Sequence, residues 1–346
     1  MENKILFICK KRIDGYGKSF GLLNSANFIS NFFNDHNIQS KVVTVIDSNS
    51  IDKEATEYNA SHVFIEALFV SPEKMREILS IPRHFKRKWI VRIHSRIPFL
   101  ANEGNAIKLI SGYSKLQECF NNLFIAPNDY ETAMDFKKLF RDKWFYLPNI
   151  YKATEYSFKE TKKNNNHILN IGCFGAIRPM KNNLIQAVAA IEYAKISKKI
   201  LKFHINADRI EQNGDPVLKN IRELFKNVKG NENFLRFELV EHPWLCHRDF
   251  IELVRKMDIG LQVSLSESFN IVAADFVSNG IPVVTSPEVR WMNFLYKADA
   301  NSSESIVNTL DFAMSVKHTG FHNINKINLS VNNYFASIKW LSFIFS

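Results

Sequence analysis

A chain of 346 residues, 46% of them hydrophobic, exceeds what one core ordinarily supports and points to two domains. No apolar run approaches the roughly 18–20 residues of a membrane span, and the N-terminus enters a strand pattern without a signal-peptide h-region; the expectation is a cytoplasmic protein, neither transmembrane nor secreted. The formal charge of +10 favours anionic partners such as nucleic acid, acidic lipid or a phosphorylated substrate, and bears on association rather than reaction type. Cys9, Cys119, Cys173 and Cys246 lack CxxC spacing, which suits a reducing compartment.

The first predicted strand is Ile5–Cys9, followed by the turn "RIDGYGKSFG", residues 12–21. A Walker A loop needs a glycine where Arg12 stands, and the GxGxxG spacing from Gly15 and Gly17 needs one where Phe20 stands. Neither nucleotide motif is present. The stretch reads as a sharp turn in which the backbone can approach a ligand closely. A helix over Gly21–Phe33 follows, then strands at Lys41–Ile46, Val63–Val70, Trp89–Ile93 and Leu123–Ala126, with a helix at Pro72–Leu79 and a weaker strand at Trp144–Leu147.

The polar run "KETKKNNN", residues 159–166, is the best linker. Beyond it the alternation restarts. Strands are expected at Ile168–Phe174, Ile200–Ala207, Phe234–Val240, Ile259–Val263 and Ile281–Thr285. Helices are expected at Asn183–Ala194, near Val217–Asn227 and Asp249–Lys256, and from about Asn270. Such alternation predicts α/β architecture with parallel sheets covered on both faces. Residues 1–155 and 165–325 therefore read as two doubly wound domains, with ligands expected at the carboxyl ends of the strands. Residues 328–345 carry aromatic and aliphatic side chains at helical spacing, so a terminal helix must dock on something.

The densest chemical signal is "QVSLSESFNIVAADFVSNGIPVVTS", residues 262–286. A strand ends, an acidic residue, Glu267, stands in the loop, and a helix begins near Asn270 with free first-turn N–H groups and a dipole that favours anions. At ~1.5 Å rise per residue, Asp275 lies roughly 8 Å along that helix. A diphosphate on the helix N-terminus would have a carboxylate on either side. On spacing alone, a helix cap and a surface acid would explain both groups equally well. "EHPWLCHRD", residues 241–249, offers His242, Cys246 and His247, but without a second ligand cluster they make a poor zinc site. A loop near a nucleotide base is the better reading of this stretch.

Together these segments resemble the E-x7-E signature of retaining GT-B glycosyltransferases, especially the family 4 group, which use nucleotide sugars. By that resemblance Glu267 contacts the donor sugar, the Ser268, Phe269, Asn270 and Ile271 loop holds the diphosphate through its amides, and Asp275 holds the ribose, one methylene shorter than the usual glutamate. "IGCFGAIRPMKNN", residues 171–183, resembles the family's second-domain opening, where a basic pair neutralises the diphosphate. Lys181 matches the lysine, and Arg178 supplies the arginine nearer to it than in the commoner pattern. His94 in "WIVRIHSRIP" matches a histidine that contacts the transferred sugar, with a merely packed histidine as the alternative. Gly15, Tyr16 and Gly17 occupy the place of the first glycine-rich loop, beside the donor phosphates.

The resemblance implies a GT-B fold with two Rossmann-like domains facing a central cleft, residues 326–346 crossing back onto the first domain, and a UDP- or GDP-sugar donor. It also implies transfer with retention. No D-x-D pair occurs, so no metal is expected. For the acceptor, the basic charge suits DNA bearing a hydroxymethylated base as well as a glycolipid at an anionic membrane. "RIHSRIPFLANEG" is similar to phage-encoded glycosyltransferase-like proteins. A non-catalytic GT-B module that binds nucleic acid is the rival reading.

Overall fold

The computed structural model describes residues 3–11, 21–140, 143–153, 156, 167–228 and 236–346. Gly15, Tyr16, Gly17 and the 159–166 linker lie outside them. The described chain divides into two compact units. One runs through Lys152 and also takes Asn332–Ser346; the other holds Ala153–Val331.

The first unit contains β1 (Lys4–Lys10), α1 (Gly21–Asp35), β2 (Gln39–Val45), α2 (Ile51–Glu57), β3 (His62–Glu66) and α3 (Pro72–Leu79). It continues with β4 (Lys88–Ile93), α4 (Ile97–Leu100), α5 (Ala106–Cys119), β5 (Leu123–Pro127) and α6 (Tyr130–Leu139). The strands form one parallel sheet in the order β2-β1-β3-β4-β5, so the switch point falls between β1 and β3. Successive residues of β1 point to opposite faces, as the period of a strand requires. Leu6 and Ile8 enter one core cluster, Ile5, Phe7 and Cys9 the other. Capping starts the helices. Ser71 accepts from the Lys74 N–H with Pro72 at the first helical position, and Asp129 accepts from the Thr132 N–H.

Two strands differ from expectation. β3 stops at Glu66 because Ala67 adopts a left-handed backbone, φ 80°. Trp144–Leu147 forms no strand; it runs beside β5 through one isolated bridge, Ile125 with Trp144, and Pro148 next in the chain offers no N–H to extend a ladder.

The second unit contains β6 (Ile168–Cys173), α7 (Asn183–Ile196), β7 (Ile200–Asn206), α8 (Asp215–Asn227), β8 (Phe237–His242) and α9 (His247–Val254). After these come β9 (Ile259–Gln262), α10 (Ile271–Ser278), β10 (Val283–Thr285), α11 (Ser303–Ser315) and α12 (Ile324–Phe345). Its parallel sheet has the order β10-β9-β6-β7-β8, which puts the switch point between β6 and β9. There Gly172 and Gly260 face each other in register. A Cβ on Gly260 would meet the Phe276 ring at 2.8 Å, and one on Gly172 would meet it at 2.9 Å. The two bare strand positions thus let α10 sit close on the sheet.

From Asn332 onward α12 belongs to the first unit. Ala336, Trp340, Phe343 and Ile344 enter its core beside Phe7, Phe33 and Phe64, and the Trp340 indole N–H donates to the Pro148 carbonyl at 2.7 Å. The terminal helix therefore docks by one face. No helix among the described residues is long and apolar enough to cross a membrane.

Candidate functional site

The loops that leave β6 and β9 flank the second unit's switch point and are tied to each other. The Leu265 N–H donates to the Met180 carbonyl at 2.9 Å, the Asn182 amide to Val263 O at 3.1 Å, and the Val263 N–H to Gln186 Oε1 at 2.8 Å. Gly175, with φ 122°, turns the chain after β6, and its N–H donates to Asn206 Oδ1 at 3.0 Å. The Lys181 stem passes over it and the ammonium pairs with the Glu267 carboxylate. Both side chains are nearly enclosed, 12% and 10% exposed, and Ser264 Oγ donates to Glu267 Oε1 at 3.2 Å. Burial pushes the Lys181 ammonium below the usual lysine range, Glu267 opposes this, and Arg178 adds to the lowering.

Asn270 sits in the left-handed region, φ 63°, and caps α10. Its Oδ1 accepts from the Ala273 N–H at 2.9 Å and its Nδ2 donates to Gln262 Oε1 at 3.1 Å. Phe269 before it is buried, with its carbonyl held by the Trp291 indole N–H at 2.8 Å. Ser268 belongs to the same turn. Ile271 opens the helix, where first-turn N–H groups have no intrahelical acceptor. A lysine, a carboxylate and a helix N-terminus thus converge on loops of one switch point. The arrangement can hold a dianion and present a negative charge beside it.

Two further expected residues of this unit have partners of their own. Arg178 immediately precedes the short turn Pro179–Lys181, and its Nη1 lies 3.7 Å from Glu211 Oε2. Glu211 also takes Arg209 at 2.7 Å, and that guanidinium stacks on Trp244, 4.3 Å from the ring centre. Asp275 is 2% exposed and its Oδ1 accepts from His247 Nε2 at 3.2 Å, while His247 Nδ1 lies 3.0 Å from Tyr156 Oη. His242 stacks on His204 and shares a 2.9 Å hydrogen bond with it. His242 and His247 thus have separate partners, and no cluster of three metal-ligating side chains occurs among the described residues.

His94 belongs to the first unit, at the carboxyl end of β4. Its Nε2 donates to Glu66 Oε2 at 2.5 Å, and Glu66 also accepts from Arg92 Nη1 at 3.2 Å. Glu66 and Arg92 are fully buried and face each other in register across β3 and β4. Arg92 Nη2 donates to Leu147 O and to Asn149 Oδ1, each at 3.0 Å, and the guanidinium lies over the Trp340 ring. Despite burial, Arg92 and His94 hold the Glu66 carboxyl below its usual range; burial, with Arg92 beside it, moves the His94 imidazole down from its ordinary value, and Glu66 opposes this. Sequence reasoning missed Glu66. The available signal was a lone acid and a lone arginine, each inside an apolar strand.

No family model and no curated protein matches the chain. Solved structures do. An alpha-glucosyltransferase in complex with UDP-glucose and DNA containing an abasic site superposes with TM-score 0.67 at 11% identity over 99% of both chains. The E. coli trehalose-6-phosphate structure bound with UDP-2-fluoro glucose gives 0.63 at 10% over 99% of both. S. aureus TarM gives 0.59 at 12%, over 82% of this chain, which spans only 55% of that protein. The two parallel-sheet α/β domains of this chain have the GT-B fold.

Proposed function

We propose that the protein is a retaining glycosyltransferase that moves a hexosyl group from a UDP-sugar to an acceptor hydroxyl on a hydroxymethylated base in DNA. The observation that carries the reading is the Lys181–Glu267 pair beside the α10 N-terminus, at the switch point where such a fold binds ligands. Lys181, the amides of the Ser268–Asn270 turn and the first-turn amides of α10 from Ile271 neutralise the leaving diphosphate. Arg178 is the second cation once the diphosphate draws it from Glu211. The bond from the anomeric carbon to the phosphate oxygen breaks as the bond to the acceptor oxygen forms on the same face. The departing phosphate takes the acceptor's proton. Glu267 stabilises charge developing on the sugar, and preorganised groups of this kind supply much of the rate. By the family resemblance His94, held by Glu66, is assigned to the transferred sugar, and Gly15, Tyr16 and Gly17, which lie outside the described residues, are assigned to the donor phosphates. With these cations the reaction needs no metal.

The acceptor assignment is supported by the formal charge of +10 and by the similar alpha-glucosyltransferase, whose structure holds UDP-glucose and DNA. A second reading, transfer to a glycolipid at an anionic membrane, is favoured by the exposed face of α12, where Tyr334 and Phe335 are 64% and 60% exposed. The test has two steps. The chain is incubated with a UDP- and GDP-sugar panel without acceptor, and released nucleotide is measured. Labelled donor is then offered with hydroxymethylated DNA, unmodified DNA and anionic glycolipid vesicles. Release of UDP and label only in hydroxymethylated DNA are expected. Label in the vesicles selects the second reading, and the absence of both binding and release selects a non-catalytic module.

A further inference from the structure

Asp275 is the group that the donor-site reading assigns to the ribose, yet its carboxylate is enclosed, 2% exposed. It cannot swing outward easily. It sits in α10 next to Phe276, whose ring is seated on Gly172 and Gly260, and a close-packed helix moves little. Against the carboxylate stands His247, the first residue of α9, just beyond the carboxyl end of β8. Its side chain keeps 15% of its surface exposed.

The proton positions follow from the partners. Against an ionised carboxylate, which only accepts, the tautomer of His247 that fits is the one with its hydrogen on Nε2, 3.2 Å from Asp275 Oδ1. In the neutral ring Nδ1 then keeps its lone pair and accepts, and the Tyr156 hydroxyl, 3.0 Å away, donates to it. A ribose hydroxyl is a donor of the same kind. We propose that His247, rather than Asp275, meets the nucleotide ribose, accepting a hydroxyl hydrogen at Nδ1 in the place that Tyr156 Oη holds in the free protein. Asp275 is the positioning residue that fixes the tautomer. The imidazole also makes up the reach that aspartate lacks. This assignment rests on the donor-site reading above and deepens it.

The experiment is calorimetric titration of the full chain with UDP, 2′-deoxy-UDP and 3′-deoxy-UDP. His247→Ala should weaken UDP about tenfold, the effect of one hydrogen bond, and leave one of the deoxy analogues bound as by the unaltered protein. His247→Phe keeps the ring volume and should do the same if the alanine variant fails to fold. Asp275→Asn should weaken UDP similarly, add nothing to His247→Ala, and change the nitrogen-15 shifts that report the His247 tautomer. Tyr156→Phe should leave UDP binding unchanged or tighter, since a competitor for Nδ1 is gone. Equal weakening of UDP and both deoxy analogues in the His247 variants would overturn the assignment, as would an unaltered UDP preference. Failure of the unaltered protein to bind UDP or GDP at all would instead remove the donor-site reading and this assignment with it.

Discussion

Replacing Lys181 separates two roles that one ion pair combines. In the unliganded unit the ammonium compensates Glu267, and under the proposed mechanism it also faces the leaving diphosphate. Lys181→Ala strands a carboxylate whose side chain is 10% exposed. Removing one partner of a buried pair costs about 3–5 kcal/mol, and the residual exposure of both groups puts this variant at the lower end, about 3 kcal/mol. For a unit of this size each kcal/mol shifts the melting temperature by about 2–4 °C, so a fall of roughly 6–12 °C is expected. Lys181→Ala combined with Glu267→Gln removes the stranded charge and should recover most of that loss. Turnover should behave otherwise. Losing the leaving-group cation should lower kcat by about 10²–10³-fold, and the double variant should recover none of it. Thermal melts and donor-saturated UDP release measure the two effects on the same samples. A Lys181→Ala enzyme that keeps kcat within about threefold would refute the reasoning, since about 0.7 kcal/mol is too little for a leaving-group cation. A double variant that regains activity would refute it too.

Glu267→Gln alone should lower kcat with little change in donor KM, the pattern of an interaction made only in the transition state; kinetic silence in a folded variant would refute its role. Activity should survive EDTA, and a complete loss rescued by manganese would show that Lys181 and the α10 terminus are not enough. Trp340→Ala should destabilise the first unit by about 3–5 kcal/mol, because it empties the space among Phe7, Phe33 and Phe64 and uncovers Arg92; urea unfolding measures this, and a loss under about 1 kcal/mol would show that α12 is dispensable. Burial, with His242 and Lys202 beside it, pushes His204 down to about 3, and Asp258 opposes this only in part. Its folded value lies below its unfolded one of about 6.5, so the unfolded chain binds the extra proton between them and stability should fall as pH drops from 6.5 towards 3. His204→Gln, still able to bond Asn170, should flatten that decline in melts taken from pH 7 to 4; an unchanged slope would place the acid sensitivity elsewhere.

The sequence by itself determined the alternation of strands and helices, because strand and helix periods are local properties of the chain. It also exposed the short-range chemistry. Lys181 follows a strand and a glycine turn within eight residues of Cys173, and Asn270 stands directly before the helix it caps. What only the tertiary structure decided are the partners. Glu66 meets Arg92 because β3 and β4 pair in one particular register, and a crossover of more than twenty residues separates them. His247 meets Asp275 because α9 and α10 pack side by side, and Arg178 meets Glu211 because the segments that follow β6 and β7 converge. Such contacts depend on strand order, and strand order is a choice among long-range pairings that no local window encodes. The same choice brings Gly172 opposite Gly260 and seats Phe276 on both. That seat holds Asp275 inside the unit, beside an imidazole, a partner that its spacing from Glu267 could not disclose.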